Sequence, residues 1–291
     1  MDRDVGWIPI TLPRRYTLVE TSDNSETVLV IPRKLPENYH CYVDGTFKVA
    51  PNLFSQVYII LCKYLDGVHP LIYAFLLDKK NQTYERLFKV LIELKPGLKP
   101  KSIACDFEQA AIKAIKNNFP EVQIHGCLFH LTKNFRIEMG DLDLFSKYKN
   151  DVEFSIYIKM ILDFVKVDDI YNSINSLYDE LPEEIFPLLE WFEENYIGTV
   201  IRNRRRSPRF PPIIWNVHDR VLNKEDRTNN NAEAANRRLN LQMAVDHSTL
   251  WAFISCLRRI QSGRDTFFRQ LETGKSPPKR KKNTLTSING F

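Results

Sequence analysis

The first regular pattern along the chain is a series of three apolar segments typical of β-strands. They are rich in β-branched and aromatic residues and cover residues 39–49, 54–64 and 68–77. Pairs of turn-forming residues at 51–52 and 66–67 separate them. Three successive strands with short connections predict an antiparallel meander.

From Thr83 onward the spacing of the apolar residues changes from that of a strand to that of a helix. A helix that ends at Pro96, a short strand at 103–105, a second helix and a strand at 122–125 follow in turn. The order β-β-β-α-β-α-β predicts an α/β fold with a mixed five-stranded sheet, because parallel strands need crossover connections that are usually helices.

Further along the chain, residues 140–228 contain no convincing strand. Amphipathic segments at 154–165, 170–181 and 185–196 predict an all-α insertion that ends in an arginine- and proline-rich loop. Two long helices then return the chain to the sheet. We therefore divide the chain into a lead-in of irregular structure or short strands (1–38), a first core part (39–139), the helical insertion (140–228), the C-terminal core helices (229–272) and a disordered basic tail (273–291).

The amino-acid composition limits the kinds of partner that the protein is expected to bind. The net charge of +5 is modest, but basic residues crowd together in 202–209 and 275–282, which favours a polyanion. Five scattered cysteines with no Cys-x-x-Cys spacing indicate neither a disulfide framework nor a zinc knuckle. Because there is no signal-peptide layout and no long apolar run, we expect a soluble intracellular protein without a membrane partner.

Three acidic residues are placed where metal-dependent phosphodiester chemistry needs them. Asp44 and Asp106 each close a strand-like run, and Glu233 opens a helix-like segment far downstream. Carboxylates suit hard divalent cations such as Mg²⁺, which leave positions for a substrate phosphate. If the strands of Asp44 and Asp106 are neighbours, the two carboxylates can converge at one edge of the sheet.

Each acid also has an ordinary structural explanation. Asp44 and the glycine after it could form a hairpin turn. Asp106 could cap a helix, with Gln109 completing a capping box. Glu233 could be an acid that the helix macrodipole favours in a first turn. Glu108 is a rival carboxylate, which we expect to point away from Asp106 toward solvent.

Four sequence blocks, in this order, resemble the signature blocks of the Mutator-like element (MULE) transposase domain. They are Cys41-Tyr-Val-Asp-Gly-Thr-Phe-Lys48, Ala104-Cys-Asp-Phe-Glu-Gln-Ala-Ala111, Gly126-Cys-Leu-Phe-His-Leu131 and Thr228-Asn-Asn-Asn-Ala-Glu233. The resemblance covers about residues 39–245. It implies the RNase H-like core of the DDE transposase superfamily, with an α-helical insertion before the third acid.

The resemblance also implies a chemistry. Asp44, Asp106 and Glu233 correspond to the catalytic acids that hold two Mg²⁺ or Mn²⁺ ions, with Asp44 bridging them. Cys127 and His130 correspond to the family's Cys-x-x-His element. The implied activity is DNA cleavage and strand transfer on transposon ends and target DNA in the nucleus, by an enzyme that could act as a homo-oligomer.

The chain departs from the family pattern in two places. Animal members often carry a Trp-His pair shortly after the third acid, whereas here the residues 234–238 are Ala-Ala-Asn-Arg-Arg. Full-length members usually have an upstream zinc-binding module that reads DNA, and nothing in residues 1–38 resembles one. We therefore expect a truncated or domesticated copy. Alternatives are a non-catalytic DNA-binding or regulatory protein derived from a transposase and a general RNase H-type nuclease.

Several basic residues are candidates for DNA contact, because arginine binds phosphate through two parallel hydrogen bonds. A solvated charge run is the alternative. Cys127 and His130 lie one turn apart if helical, so a zinc ion, a packing role and a substrate contact all stay open. The candidate arginines are Arg202, Arg204, Arg205, Arg206, Arg209, Arg237 and Arg238.

Overall fold

The computed structural model describes residues 7–11, 17–21, 27–30, 39–64, 67–161, 165–202, 204–243 and 249–274. The chain divides into two compact units. The first contains residues 1–124 and 229–278, and the second contains residues 125–228 and 279–291. Most of the predicted basic tail, 275–291, lies outside the described residues.

One large mixed sheet organises the first unit. Its strand order is β1-β2-β3-β6-β5-β4-β7-β8, with β4 and β7 parallel and β1 through β6 joined by antiparallel pairs. The strands are β1 (Trp7–Thr11), β2 (Thr17–Thr21), β3 (Thr27–Val30), β4 (His40–Thr46), β5 (Gln56–Tyr64), β6 (Gly67–Leu76), β7 (Ser102–Cys105) and β8 (Gln123–Gly126).

The predicted α/β class and mixed sheet are confirmed, and the five predicted strands are β4 to β8. The sheet has eight strands rather than five, because the lead-in, predicted as irregular structure or short strands, adds β1, β2 and β3 beside β6. Pro9 lies within β1 at the outer edge of the sheet, where a residue without an N–H group is tolerated.

The predicted helices are present, with bounds that differ by a few residues, and the described residues contain three further short helices at 145–150, 212–215 and 218–222. They are α1 (Asn81–Leu94), α2 (Gln109–Asn118), α3 (Leu128–Asp141), α4 (Phe145–Asn150), α5 (Val152–Ile161), α6 (Ile170–Glu180), α7 (Phe186–Phe192), α8 (Pro212–Trp215), α9 (His218–Leu222), α10 (Asn230–Met243) and α11 (Leu250–Glu272). Among the described helices, none combines the length and the apolar character needed to cross a bilayer.

Helices cover both faces of the central strands. Tyr42 and Ile59 pack with the buried α10 and α11 residues Leu239 and Phe253. On the opposite face, Tyr84 of α1 packs its ring 5.2 Å from that of Tyr58. Because side chains alternate along a strand, each strand residue is assigned to one of these two layers.

The second unit is mainly helical around an aromatic core. The ring of Phe192 lies 5.8 Å from Phe135, 5.3 Å from Tyr196 and 5.4 Å from Trp215. The Trp215 Nε1–H group donates to the carbonyl of Tyr196 over 2.8 Å. The buried tryptophan is therefore both packed and hydrogen-bonded.

The expectation that 140–228 contains no strand was wrong in one place. Strands β9 (Val200–Ile201) and β10 (Arg204–Arg205) form an antiparallel hairpin where a loop was predicted. Gly198 precedes the hairpin with a φ of 98°. A Cβ there would lie 2.0 Å from the Arg206 carbonyl oxygen, so this position requires glycine.

Candidate active site

Asp44 lies on β4, and Asp106 directly follows β7, the parallel neighbour of β4. The β4–β7 register pairs Tyr42 with Ala104, and Cys105 ends β7. Carrying that register two residues further places Asp106 opposite Asp44, on strands that lie about 4.8 Å apart. The alternation of side chains then assigns both carboxylates to the same face of the sheet.

The Asp44 carboxylate accepts hydrogen bonds on both oxygens. Oδ1 accepts from the backbone N–H of Gly45 over 2.9 Å, and Oδ2 accepts from Nδ2 of Asn236 over 2.8 Å. The ladder between β4 and β5 continues past it, pairing Gly45 with Tyr58 and Thr46 with Val57. The explanation of Asp44 as part of a hairpin turn is therefore wrong.

Asp106 is half-buried just beyond β7. Its Oδ1 accepts from the Phe107 N–H over 2.5 Å. Helix α2 begins at Gln109, and its N-cap residue is Glu108, which makes no capping hydrogen bond through its side chain. Asp106 is therefore not the cap of α2, and its carboxylate stands at the end of a strand, as the metal hypothesis requires.

Glu233 lies on the side of α10 that contacts β4. Nδ2 of Asn229 donates to the Val43 carbonyl over 2.7 Å, and Asn236 donates to Asp44. On a helix, Glu233 shares a face with both asparagines, because it follows one by four positions and precedes the other by three. It also lies in the first turn of α10, which fits the macrodipole explanation, and its catalytic role stays a prediction.

The three acids offer the hard oxygen donors that Mg²⁺ and Mn²⁺ prefer, so the donor set fits the implied metals. Among the residues that the structure describes, the ligand atoms of Asp44, Asp106 and Glu233 do not all lie within 4.8 Å of one another. A single ion would not touch all three in this arrangement. If Asp44 bridged two ions instead, each ion would need only one further acid close to it.

Glu108 does not face solvent as we expected. Its side chain is 28% exposed, and Oε2 lies 4.0 Å from the Lys79 Nζ. Burial raises the pKa of Glu108, against the hydrogen bond from Tyr84 and the charge of Lys79, and the nearby Asp106 raises it further. Because Tyr84 belongs to α1, Glu108 contacts the layer opposite α10.

A polar layer lies beneath the acids on the α1 side of the sheet. Nε2 of the buried Gln56 donates to the Tyr84 hydroxyl over 2.9 Å and to the Asp78 carbonyl over 3.2 Å. Burial raises the pKa of Tyr58 and Tyr84, so both hydroxyls stay protonated. A Cβ at Gly45 would lie 2.4 Å from Gln56 Oε1, so glycine there leaves room for this layer.

Cys127 and His130 belong to the second unit, at the start of α3. Cys127 is the buried N-cap residue of α3, and His130 lies in its first turn, as the predicted spacing requires. Nearby, the buried Arg220 guanidinium donates to the carbonyls of Gly126 and Asn216 over 3.4 and 3.3 Å. Burial lowers the pKa of Arg220, while Cys127 raises it. The Cys127 sulfur and a ring nitrogen of His130 lie within 4.8 Å of each other, so the structure is compatible with both a packing role and a pair of metal ligands.

The five arginines of 202–209 are not equivalent. Arg205 is half-buried: its guanidinium bonds to Glu193 over 3.0 Å and to the carbonyl of Gly198, and it lies 4.6 Å from the Tyr171 ring centroid. The other four arginines of this segment are exposed: Arg202, Arg204, Arg206 and Arg209.

Arg237 and Arg238 are exposed on α10. They lie between positions of that helix that face the sheet, such as the buried Asn236. Sequence reasoning missed Asn229 and Asn236. The available signal was their spacing around Glu233, which places three polar side chains on one face of a helix that must pack against a sheet.

Comparison with known proteins supports one family. Residues 40–134 match the family model of the MULE transposase domain. The match contains Asp44, Asp106, Cys127 and His130 but ends before Glu233. Among curated proteins, none matches this sequence. The first part of the core is therefore similar to a transposase domain, which suggests a transposase-related function.

Proposed function

We propose that this chain is the catalytic domain of a MULE-type DDE transposase with an RNase H-like core, and that it cleaves and joins DNA with the help of divalent metal ions. The observation that supports this most is the parallel register of β4 and β7, which, extended two residues past its last pair, brings Asp106 level with Asp44. The helix that carries Glu233 is held against β4, the strand of Asp44, by hydrogen bonds from Asn236 and from Asn229, which directly precedes the helix.

Asp44, Asp106 and Glu233 would hold two Mg²⁺ or Mn²⁺ ions. Bound there, the metals would lower the pKa of an attacking water or DNA 3′-hydroxyl and stabilise the leaving oxygen. Asp44, supported on both oxygens, is the acid best placed to keep one orientation. Asp106 and Glu233 approach from a strand end and a helix, so each would complete one side of the site.

The substrate would be DNA at transposon ends and a target, reached in the nucleus. The exposed arginines of 202–209 and of α10 would contact DNA phosphates, because such contacts require side chains that extend into solvent and can reach the DNA backbone. Arg205 contributes less to this proposal, since its guanidinium is already bound by Glu193 and a backbone carbonyl.

The test is a cleavage and strand-joining assay on matched terminal-repeat DNA with Mg²⁺ or Mn²⁺. The wild type should cut and join DNA, and both EDTA and Asp106→Ala should abolish the reaction. DNA binding without metal-dependent cutting would instead favour the alternative, a non-catalytic DNA-binding or regulatory protein derived from a transposase. Cutting of any duplex or hybrid without joining would favour an RNase H-type nuclease.

A further inference from the structure

Asn236 is the residue through which α10 reaches an acid of the site. It is 7% exposed, and its Nδ2 donates to Asp44 Oδ2 across 192 positions of sequence. The other Asp44 oxygen accepts from the adjacent Gly45 N–H, which is a local contact. The hydrogen bond from Asn236 is therefore a long-range restraint on this carboxylate, made from the helix that carries Glu233.

We propose that Asn236 is a positioning residue that fixes the Asp44 carboxylate for metal binding. The inference rests on the proposed function, because it concerns the same site. An ionised carboxylate accepts hydrogen bonds only, so the amide must present its NH₂ group to Asp44. That donor holds one carboxylate oxygen and so fixes the direction in which the carboxylate presents its lone pairs to a metal.

The oxygen of the Asn236 side-chain amide also supports a functional role. Within the described residues, the buried Oδ1 of Asn236 has no hydrogen-bond partner. A buried acceptor without a partner destabilises a fold, and an apolar side chain of similar size would avoid that cost. Asparagine at this position therefore serves the orientation of Asp44 rather than stability.

The proposal explains a departure from the family pattern. The segment after Glu233 lacks the Trp-His pair that animal members of the resembled family often carry. In the structure, this segment supports the first acid. Because Asn236 lies one turn beyond Glu233, a single helix face carries one predicted ligand and holds another.

The helix also provides a matched control. Asn240 lies one turn further along α10, and its Oδ1 accepts from Thr46 Oγ1 over 3.2 Å. Thr46 is on the same strand and the same face as Asp44, but it is not an acid of the site. Loss of Asn240 therefore removes a comparable helix–strand bond without changing a predicted ligand.

The experiment measures Mn²⁺ affinity by calorimetry and the melting temperature of wild type, Asn236→Leu and Asn240→Leu. Asn236→Leu should bind Mn²⁺ about 10-fold or more weakly, the usual effect of losing a partner of a metal ligand. Its melting temperature should not fall below that of Asn240→Leu, which should bind Mn²⁺ like the wild type. If Asn236→Leu does not fold, Asn236→Ala, which only removes atoms, takes its place.

The outcomes separate this inference from the proposed function. Equal Mn²⁺ affinity in the wild type and both leucine variants overturns the role of Asn236, whatever the wild type does to DNA. A selective loss in Asn236→Leu, from a wild type that cuts no DNA, supports the positioning role and contradicts only the transposase activity. A wild type that binds no Mn²⁺ overturns both.

Discussion

The two charged regions of this protein differ in how the fold holds them. In the first unit, Asp44 is half-buried and bonded through both oxygens. In the second unit, Arg202, Arg204 and Arg206 extend from a short hairpin into solvent. Metal chemistry needs fixed ligands, whereas phosphate contacts tolerate mobile side chains. Under the proposed function, the first region would carry out the chemistry and the second would supply affinity for DNA.

Replacing the acids should have the largest effect. Asp44→Asn, Asp106→Asn and Glu233→Gln should each lower metal-dependent DNA cleavage by about 10³-fold, because each removes a charged metal ligand. Glu108→Gln should lower it less than about 10-fold, since Glu108 contacts the α1 layer. Cleavage rates at saturating Mg²⁺ measure this. If Glu108→Gln is as inactive as Asp106→Asn, the assignment of the second acid is wrong.

Replacing the exposed arginines should weaken DNA binding without affecting metal binding. For Arg202→Ala/Arg204→Ala/Arg206→Ala, we expect the slope of log affinity against log salt to fall by about 0.9 for each lost phosphate contact. Fluorescence anisotropy with a labelled duplex over a range of salt concentrations measures the slope. Lys113→Ala/Lys116→Ala, on exposed positions of α2, is the control. Equal slopes in the two variants would make the arginine segment an ordinary solvated surface.

Arg205 should behave as part of the second unit's structure. Arg205→Ala should lower the free energy of unfolding by about 2 kcal/mol, because the 15%-exposed Glu193 carboxylate loses its cation and keeps the hydrogen bond from the Tyr178 hydroxyl. Chemical denaturation measures this, with the exposed Arg204→Ala expected to change stability by less than about 0.5 kcal/mol. A reduced salt slope of DNA binding with unchanged stability would instead make Arg205 a DNA contact.

Asp78 should show a smaller effect, on stability and its pH dependence. Its Oδ1 accepts from Thr83 Oγ1 over 2.6 Å and from the Lys80 N–H over 3.0 Å. Burial raises the pKa of Asp78, but the hydrogen bonds from Thr83 and Lys80 and the Lys80 charge lower it by more, so the net shift is downward. Asp78→Ala should lose about 1 kcal/mol at neutral pH.

The sign of this pH effect follows from the lowered pKa. A group that ionises more readily in the folded protein stabilises it at neutral pH, and that contribution is lost as the pH falls below about 4. The stability difference between the wild type and Asp78→Ala should therefore shrink in acid. Denaturation at pH 7 and pH 3.5 tests this, and a difference that grows in acid would contradict it.

The sequence predicts the centre of the fold better than its edges. Strands β4 to β8 could be identified because their apolar residues form long or well-bounded runs. The lead-in strands have only four or five residues, and β1 contains Pro9. Strands β9 and β10 have two residues each, which is too short for any periodicity. These elements depend on pairing partners, which local composition does not reveal.

In the candidate site, too, the sequence predicts some features and not others. Asp44 and Asp106 could be placed from strand order alone, since parallel neighbours end at one edge of a sheet. The roles of Asn236 and Glu108 could not, because they depend on contacts made after folding: Asn236 donates to a strand far away in sequence, and Glu108 contacts Tyr84 of another helix. Non-local contacts of this kind leave little trace in a single sequence.

The central claim is that Asp44 belongs to a divalent-metal site, and thermal denaturation with increasing Mg²⁺ tests it most directly. A ligand that binds only the folded state raises the melting temperature in proportion to ln(1 + [L]/Kd). The wild type and the control Asp78→Asn should melt at higher temperature as Mg²⁺ increases, whereas Asp44→Asn should not respond. Equal responses to Mg²⁺ in the wild type and Asp44→Asn would contradict the claim.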